Sequence, residues 1–293
     1  MVNQQPLVSV IISCYNHEQY IEESILSVLG QDYENIELLV VDDGSSDRSV
    51  QVIEKLKEKH DFYFSVQKNK GLTKTLNETI AKSKGKYIVP LGSDDVMLPH
   101  RLSTQIEYIE GKPEVGICGG NIEFIDSEGS LYPERRQRRD VPFRRMNFED
   151  VFLERKPYVP ATTLLIRREA LEAVGGFDEE NRLEDLMIEL KITKAGYYID
   201  CLPVVMAKYR KHATNTYKDH EFMTTSILDT YARFSDHPDY EFVKYKFLNS
   251  MFLKVANRDK KYARKILSQI PFSKWNKKTW RGLWRLYFYH LEK

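Results

Sequence analysis

Val8-Ser9-Val10-Ile11-Ile12-Ser13-Cys14-Tyr15-Asn16 opens with a β-branched, apolar run and stops abruptly at polar residues. With Leu7 in front, Leu7 to Ser13 predicts a short strand buried on both faces. Ile21, Ile25, Val28 and Leu29 then recur at helical spacing. Ile36 to Val41 is a second buried strand, ending at Asp42-Asp43-Gly44. Ser46 or Asp47 is placed to cap the next helix, whose inner face holds Val50, Ile53 and Leu56. Phe62 to Val66 reads as a third strand, and Leu72, Leu76 and Ile80 line a third helix. Tyr87 to Leu91 is a fourth strand, followed by Gly92-Ser93-Asp94-Asp95.

This alternation predicts an α/β fold: a mostly parallel central sheet flanked by helices. Ligands of such sheets sit beyond the carboxyl ends of the strands. The polar clusters fall at those ends: Ser13 to Asn16, Asp42 to Asp47, Asn69 to Gly71 and Ser93 to Asp95. A shared rim makes them one candidate site. Further on, Ile122 to Ile125 with Asp126-Ser127-Glu128-Gly129 reads as a hairpin, and Ala161 to Ile166 as a strand. A helix begins near Arg168 and ends at Gly175-Gly176, and Glu184 to Lys194 is helical. From about Glu221 the pattern is helical throughout, broken near Pro238 and Pro271.

The 293 residues suit one large domain, or a domain with a helical appendix. A net charge of +1 offers no global basic field for nucleic acid, so none is expected as a partner. Cys14, Cys118 and Cys201 form no metal-binding or disulfide pattern and fit a reducing cytoplasm. The N-terminus does not read as a secretory signal, and no apolar stretch approaches the length of about 18 residues that marks a membrane span. The expectation is a cytoplasmic protein whose membrane contact, if any, is peripheral. No glycine-rich nicotinamide fingerprint follows the first strand, and no P-loop pattern occurs.

Acidic pairs at strand ends suit a hard divalent cation, so Asp94 and Asp95 are candidates to hold Mg2+ or Mn2+ against a diphosphate. Taken alone, Asp-Asp also starts turns and caps helices. The wider pattern carries more weight. Residues 8–16, Val41-Asp42-Asp43-Gly44-Ser45-Ser46-Asp47, Asn69-Lys70-Gly71-Leu72 with Asn77, and Gly92-Ser93-Asp94-Asp95 together resemble glycosyltransferase family 2. The resemblance continues through Gly175-Gly176-Phe177-Asp178, Glu184-Asp185 and Tyr209-Arg210-Lys211-His212, covering about residues 7 to 215.

That resemblance implies a GT-A fold and an inverting transferase. Its donor would be a UDP- or dTDP-sugar. Its acceptor would be a saccharide, on a polyprenyl diphosphate carrier by family habit, in O-antigen, capsule or other cell-surface polysaccharide synthesis. It implies that Tyr15 packs on the base, Asp43 accepts a hydrogen bond from it, and Ser13, Asn16, Asn69, Gly71 and Ser93 complete the nucleotide site. It further implies that Asp94, Asp95 and His212 hold the metal and that Asp185 is the catalytic base. An inverting transfer needs such a carboxylate to take the acceptor proton, and positive charge for the leaving diphosphate. The plainer readings stand beside these: a strand-end aromatic for Tyr15, a surface histidine for His212, and a charge complementing the helix dipole for Asp185. Two positions depart from the family pattern. Gly92 stands where an additional acid is common, and Lys191 is the nearest basic residue where the helix after Asp185 often carries arginine.

The expected organisation is a catalytic domain over 1–215, with a nucleotide-binding half at 1–120 and an acceptor half at 121–215, followed by a helical extension at 216–293. Arg135, Arg136, Arg138, Arg139, Arg144 and Arg145 read as a solvated charge run or as a contact for anionic lipid or diphosphate. Trp275, Trp280 and Trp284, interleaved with lysines and arginines, suit an interfacial helix; packing on the catalytic domain and a homodimer contact are the alternatives. Two other functional classes remain in view. A nucleotidyltransferase would need a glycine- and lysine-rich loop that residues 13–17 lack, and a binding module without catalysis is suggested by Gly92 alone.

Overall fold

The protein is described from a computed structural model covering residues 5–133, 138–139, 141–213 and 215–288. It divides into two compact units, Met1–Ala213 and Thr214–Lys293.

In the first unit, strands and helices run in the order β1 (Val8–Cys14), α1 (Ile21–Leu29), β2 (Ile36–Asp42), α2 (Ser49–Lys57), β3 (Tyr63–Val66), α3 (Leu72–Ile80), β4 (Tyr87–Gly92), β5 (Val96–Met97), α4 (Arg101–Ile109), β6 (Val115–Ile125), β7 (Arg138–Arg139), β8 (Arg144–Met146), α5 (Phe148–Phe152), β9 (Leu165–Arg167), α6 (Arg168–Ala173), α7 (Glu184–Lys194) and β10 (Tyr198–Arg210). The sheet order is β3-β2-β1-β4-β9-β6-β10-β5, with β7 on β6 and β8 on β10. Strands β1 to β4 pair in parallel, as do β6 and β10; short β9 runs antiparallel between β4 and β6. Val8, Val10 and Ile12 of β1 enter one core with Ile21 and Ile25 of α1, Val40 of β2 and Val89 of β4. Burial of both sheet faces explains why β1, β2 and β4 read as continuous apolar runs rather than alternating ones.

Register brings the strand ends level. Ser13 lies opposite Val41 on one side and Gly92 on the other, and Asp42 opposite Cys14 and Val66. The polar residues that follow each strand therefore share one rim. At the far side, β5 pairs antiparallel with the end of β10, setting Val96 opposite Lys208. That pairing returns the chain to Asp94 and Asp95.

Some local expectations shift. The cap of α2 is Arg48, whose side chain does not bond the helix end; Asp47 stands just outside and accepts from the Ser49 amide at 2.9 Å and hydroxyl at 2.6 Å. The strand expected over Ala161 to Ile166 is a 3-10 turn, Ala161–Thr163, leading into β9. Its threonines turn inward: Thr162 donates to Asp95, while Thr163 Oγ1 accepts from the Gly120 amide at 3.1 Å and donates to Pro160 O at 2.8 Å. Buried hydroxyls must find partners, and here they draw the backbone out of extended geometry. The Asp126–Gly129 hairpin turn forms, with Gly129 at φ 83°.

Within the basic segment, Arg135 and Arg136 lie outside the described residues, and for Arg138 and Arg139 only the backbone is described. Arg144 and Arg145 are not part of a solvated run. Arg144 is buried and donates to Pro157 O and Tyr158 O, and Arg145 makes a two-pronged pair with Asp200 at 2.9 and 2.8 Å. All three cysteines are free thiols and buried.

The second unit holds α8 (His220–Ala232), α9 (Tyr240–Val255), α10 (Lys260–Leu267) and α11 (Lys277–Phe288). Among the described residues, no helix is long and apolar enough to cross a membrane.

Candidate active site at the strand rim

Three ligand-type side chains meet at the rim. Atoms of His17, Asp94 and His212 lie within 4.8 Å of one another. His212 Nε2 is 2.8 Å from Asp94 Oδ2, although 118 residues separate them, and His17 Nδ1 is 2.7 Å from Ser93 Oγ. The imidazoles sit edge to face at 5.5 Å, with Tyr20 beside both. Burial works to raise the Asp94 pKa, but the His212 hydrogen bond and the fields of His17 and His212 outweigh it and hold the carboxyl below its usual range. Burial lowers the His17 pKa and favours the neutral imidazole that a metal requires. Two imidazoles and one carboxylate form a donor set that fits a first-row divalent ion such as Mn2+.

Asp95, expected to share the ion with Asp94, is not in this cluster. It is buried; its Oδ2 accepts from Thr162 Oγ1 at 2.5 Å and its Oδ1 from the Arg210 amide at 2.9 Å. Burial first, and the charge of Asp94 second, raise its pKa well above the usual carboxylate range. Asp95 thus fastens the end of β10, and with it His212, to the loop after β4. Arg210 reinforces the join by donating Nε to Asp94 O at 2.8 Å and pairing with Glu23. Buried Arg101 holds the other side, donating to Thr162 O at 2.7 Å and Leu164 O at 3.0 Å.

Gly92 also acquires a reason. A β-carbon there would sit 2.9 Å from Asp94 Oδ1 and 3.1 Å from Asp95 Oδ2. The absence of a side chain is what lets both carboxylates take these positions.

The remaining nucleotide-site candidates surround the same rim. Asp43 is buried and oriented: Oδ1 accepts from the Lys70 amide at 2.9 Å and Gln67 Nε2 at 2.8 Å, and Oδ2 from the Gly71 amide at 2.9 Å. Asp42 shapes the turn, accepting from the Gly44 and Ser45 amides at 3.1 and 2.8 Å. Gly44 adopts φ 82°, and a β-carbon there would stand 2.8 Å from Asn69 N, so the two loops touch through backbone alone. Asn16 Oδ1 accepts from the Ser46 amide at 2.8 Å, and Asn69 Oδ1 from the Gly71 amide at 3.2 Å. Ser13, next to last in β1, is half-buried, while Tyr15 is 49% exposed and offers an open ring.

Asp185 lies on the first turn of α7, with Oδ1 accepting the Leu186 amide at 2.7 Å. It keeps some accessible surface yet is crowded by protein, and desolvation raises its pKa. Glu184 is pushed up to about 8 by burial and by Asp185, and buried Glu189, one helical turn on, is raised by the same two causes. The segment before α7 is tied to α3: Asn77 Oδ1 accepts from the Phe177 amide at 3.0 Å, and its Nδ2 donates to Phe177 O at 2.9 Å. Lys191 Nζ donates to Gly176 O at 2.6 Å, so this residue holds the glycine loop on α7.

Sequence reasoning missed His17 and Glu189. His17 follows the same strand end as Tyr15 and Asn16, and Glu189 lies four residues beyond Asp185 on one helix face; those positions were the available signals.

The model of the family described as glycosyl transferase family 2 matches residues 9–175. An uncharacterised glycosyltransferase of Haemophilus influenzae is 27% identical over 98% of this chain and 92% of its own length. Poly-beta-1,6-N-acetyl-D-glucosamine synthase of Staphylococcus aureus is 26% identical over 68% of this chain, a match spanning only 48% of that protein. Mannosyltransferase PcManGT of Pyrobaculum calidifontis, solved with GDP-Man and Mn2+, has a TM-score of 0.65 at 18% identity, over 97% of this chain and 88% of that one. TarS of Staphylococcus aureus, solved over residues 1–349 with UDP-GlcNAc, has a TM-score of 0.64 at 20% identity, over 89% and 78%. These likenesses give the fold as GT-A, with its mostly parallel sheet. The chain belongs to glycosyl transferase family 2.

Proposed function

We propose that the chain is an inverting, metal-dependent transferase that moves a sugar from a UDP-sugar, or a dTDP-sugar, onto a saccharide acceptor. A polyprenyl-diphosphate-linked saccharide, in O-antigen, capsule or related surface-polysaccharide synthesis, is the acceptor class. The observation that carries the reading is the convergence of His17, Asp94 and His212 on the rim where Tyr15 and Asp43 also stand. Relatives that make poly-N-acetylglucosamine, and solved neighbours holding UDP-GlcNAc or GDP-Man with Mn2+, support a nucleotide-sugar donor and a divalent ion.

In this reading Tyr15 stacks on the base and Asp43 accepts its imide N–H; Ser13, Asn16, Asn69, Gly71 and Ser93 line the ribose and phosphates. His17, Asp94 and His212 hold the ion, with Mn2+ preferred over Mg2+ because two of the three donors are imidazoles. When bound there, the ion supplies positive charge for the departing diphosphate. Asp95 acts as a positioning residue. Asp185 takes the proton of the acceptor hydroxyl as its oxygen bonds to the anomeric carbon; the bond to the diphosphate oxygen breaks, and the nucleoside diphosphate leaves with the electron pair. A raised pKa makes Asp185 a stronger base than an ordinary aspartate, and the donor-binding and base-bearing parts occupy residues 1–215. That carboxylate favours an enzyme over a binding module.

The test is a panel of nucleotide sugars with Mn2+, with Mg2+ and with chelator. Release of one nucleoside diphosphate, lost with chelator, supports the reading. Donor turnover that persists in chelator refutes the metal assignment.

A further inference from the structure

The C-terminal unit carries a face that the donor site does not use. Helix α11 turns Thr279, Gly282 and Leu286 inward. A β-carbon at Gly282 would sit 2.5 Å from Phe252 Cε1 of α9, and Thr279 donates to Asn249 Oδ1, so this face is fixed against α9. Helical spacing then sends Trp280, Trp284 and Phe288, with Tyr287, to the outside. They are 57%, 57%, 70% and 54% exposed, respectively. Lone exposed aromatics are ordinary, but a contiguous stripe marks an interaction surface.

Beside Trp284 lies a depression of about 390 Å³ lined by Lys254, Asn257, Arg258, Trp284 and Arg285. Among the described residues, none of its three cations pairs with a carboxylate. Asp219 and Asp259, which share the surroundings of His220 with Lys254 and Arg258, are engaged as helix caps, accepting the Phe222 and Tyr262 amides at 2.8 and 2.9 Å. Burial first, and then the like charge of Arg258, lower the Lys254 pKa. Arg285 Nη1 donates to Leu253 O at 3.1 Å, which steadies the guanidinium at the edge.

We propose that this face docks on an anionic lipid bilayer, with headgroup phosphates entering the depression formed by Lys254, Arg258 and Arg285 while Trp280, Trp284, Tyr287 and Phe288 lie in the interfacial layer. Amphipathic aromatic rings favour that layer, and the three cations beside them complement anionic headgroups. A helix of 12 residues lies along such a surface rather than crossing it. Two copies joined through the same face would bring these like charges together, which disfavours a homodimer here.

The test is co-sedimentation of the full chain with vesicles of phosphatidylcholine, alone or with phosphatidylglycerol. The expected result is binding to the anionic vesicles only, weakened by salt. A basic residue near an anionic surface contributes roughly fivefold, so Lys254→Gln with Arg258→Gln should lower partitioning roughly twenty-five-fold. Both side chains are exposed, so folding is spared, and donor affinity should not change. Trp280→Ser with Trp284→Ser should also release the protein. Equal binding to neutral and anionic vesicles, or unchanged binding of both variants, overturns the proposal. So does binding of inorganic phosphate without vesicle binding. A concentration-dependent dimer that Trp284→Ser dissolves, in a protein that ignores vesicles, would assign the face to a second copy instead.

Discussion

Replacing Asn77 with leucine separates the positioning of the base-bearing segment from donor binding. The Asn77 amide holds both backbone groups of Phe177, accepting at 3.0 Å and donating at 2.9 Å across 100 residues of sequence. Leucine keeps the branching and nearly the volume but offers neither donor nor acceptor. Phe177 is 3% exposed, so its amide and carbonyl would lose their partner where water is scarce. Leaving a buried polar group unsatisfied costs about 1–3 kcal/mol. Two such groups, partly relieved by relaxation at the half-buried Asn77, give about 2–4 kcal/mol. For a unit of this size each kcal/mol shifts Tm by roughly 2–4 °C, so a fall of roughly 5–15 °C is expected by calorimetry. Below that transition, transfer should drop at least tenfold as the Gly-Gly-Phe-Asp segment and Asp185 lose their alignment, by the sensitivity of catalysis to small misplacements. Nucleotide affinity by titration calorimetry should stay within about twofold, because the residues proposed to hold the base and phosphates are elsewhere. An unchanged Tm, or equal losses of nucleotide affinity and turnover, would refute the argument that Asn77 joins the donor side to the base.

Asp185→Asn should lower transfer by about 10²–10⁴-fold with nucleotide binding retained; full activity would remove Asp185 from the mechanism. Since the base works ionised and its pKa is raised, wild-type kcat/KM should fall with decreasing pH on a limb displaced above the ordinary aspartate value of 3.8, and a limb at or below that value would contradict the assignment. His17→Ala should weaken Mn2+ binding, followed by electron paramagnetic resonance with UDP present, by at least about tenfold; unaltered affinity would return His17 to a structural role. Gly92→Ala should displace Asp94, whose Oδ1 would stand 2.9 Å from the new β-carbon, and press on Asp95 Oδ2 at 3.1 Å, so Mn2+ affinity should drop and stability should fall by about 1–3 kcal/mol. A variant that binds metal normally would show that Asp94 has room to move.

By itself the sequence determined the alternation of strands and helices through Leu91, the shared rim, the family and most of the candidate residues. Those properties are local: β-branched runs bounded by polar turns need no distant partner to be recognised. Tertiary structure alone decided which candidates meet. β10 reads poorly because Pro203 and register shifts between Cys201 and Ala207 break its pattern, yet its thirteen residues carry His212 back to Asp94 through pairing with β5. Asp94 and Asp95 are indistinguishable as adjacent letters. Successive side chains leave the backbone in different directions, so one faces the imidazoles and the other meets buried Thr162 and the Arg210 amide. Trp280 and Trp284 were equally legible as packing or as surface. The contact of Gly282 with Phe252 decides between them, since fixing one face of a helix fixes the direction of every other residue on it.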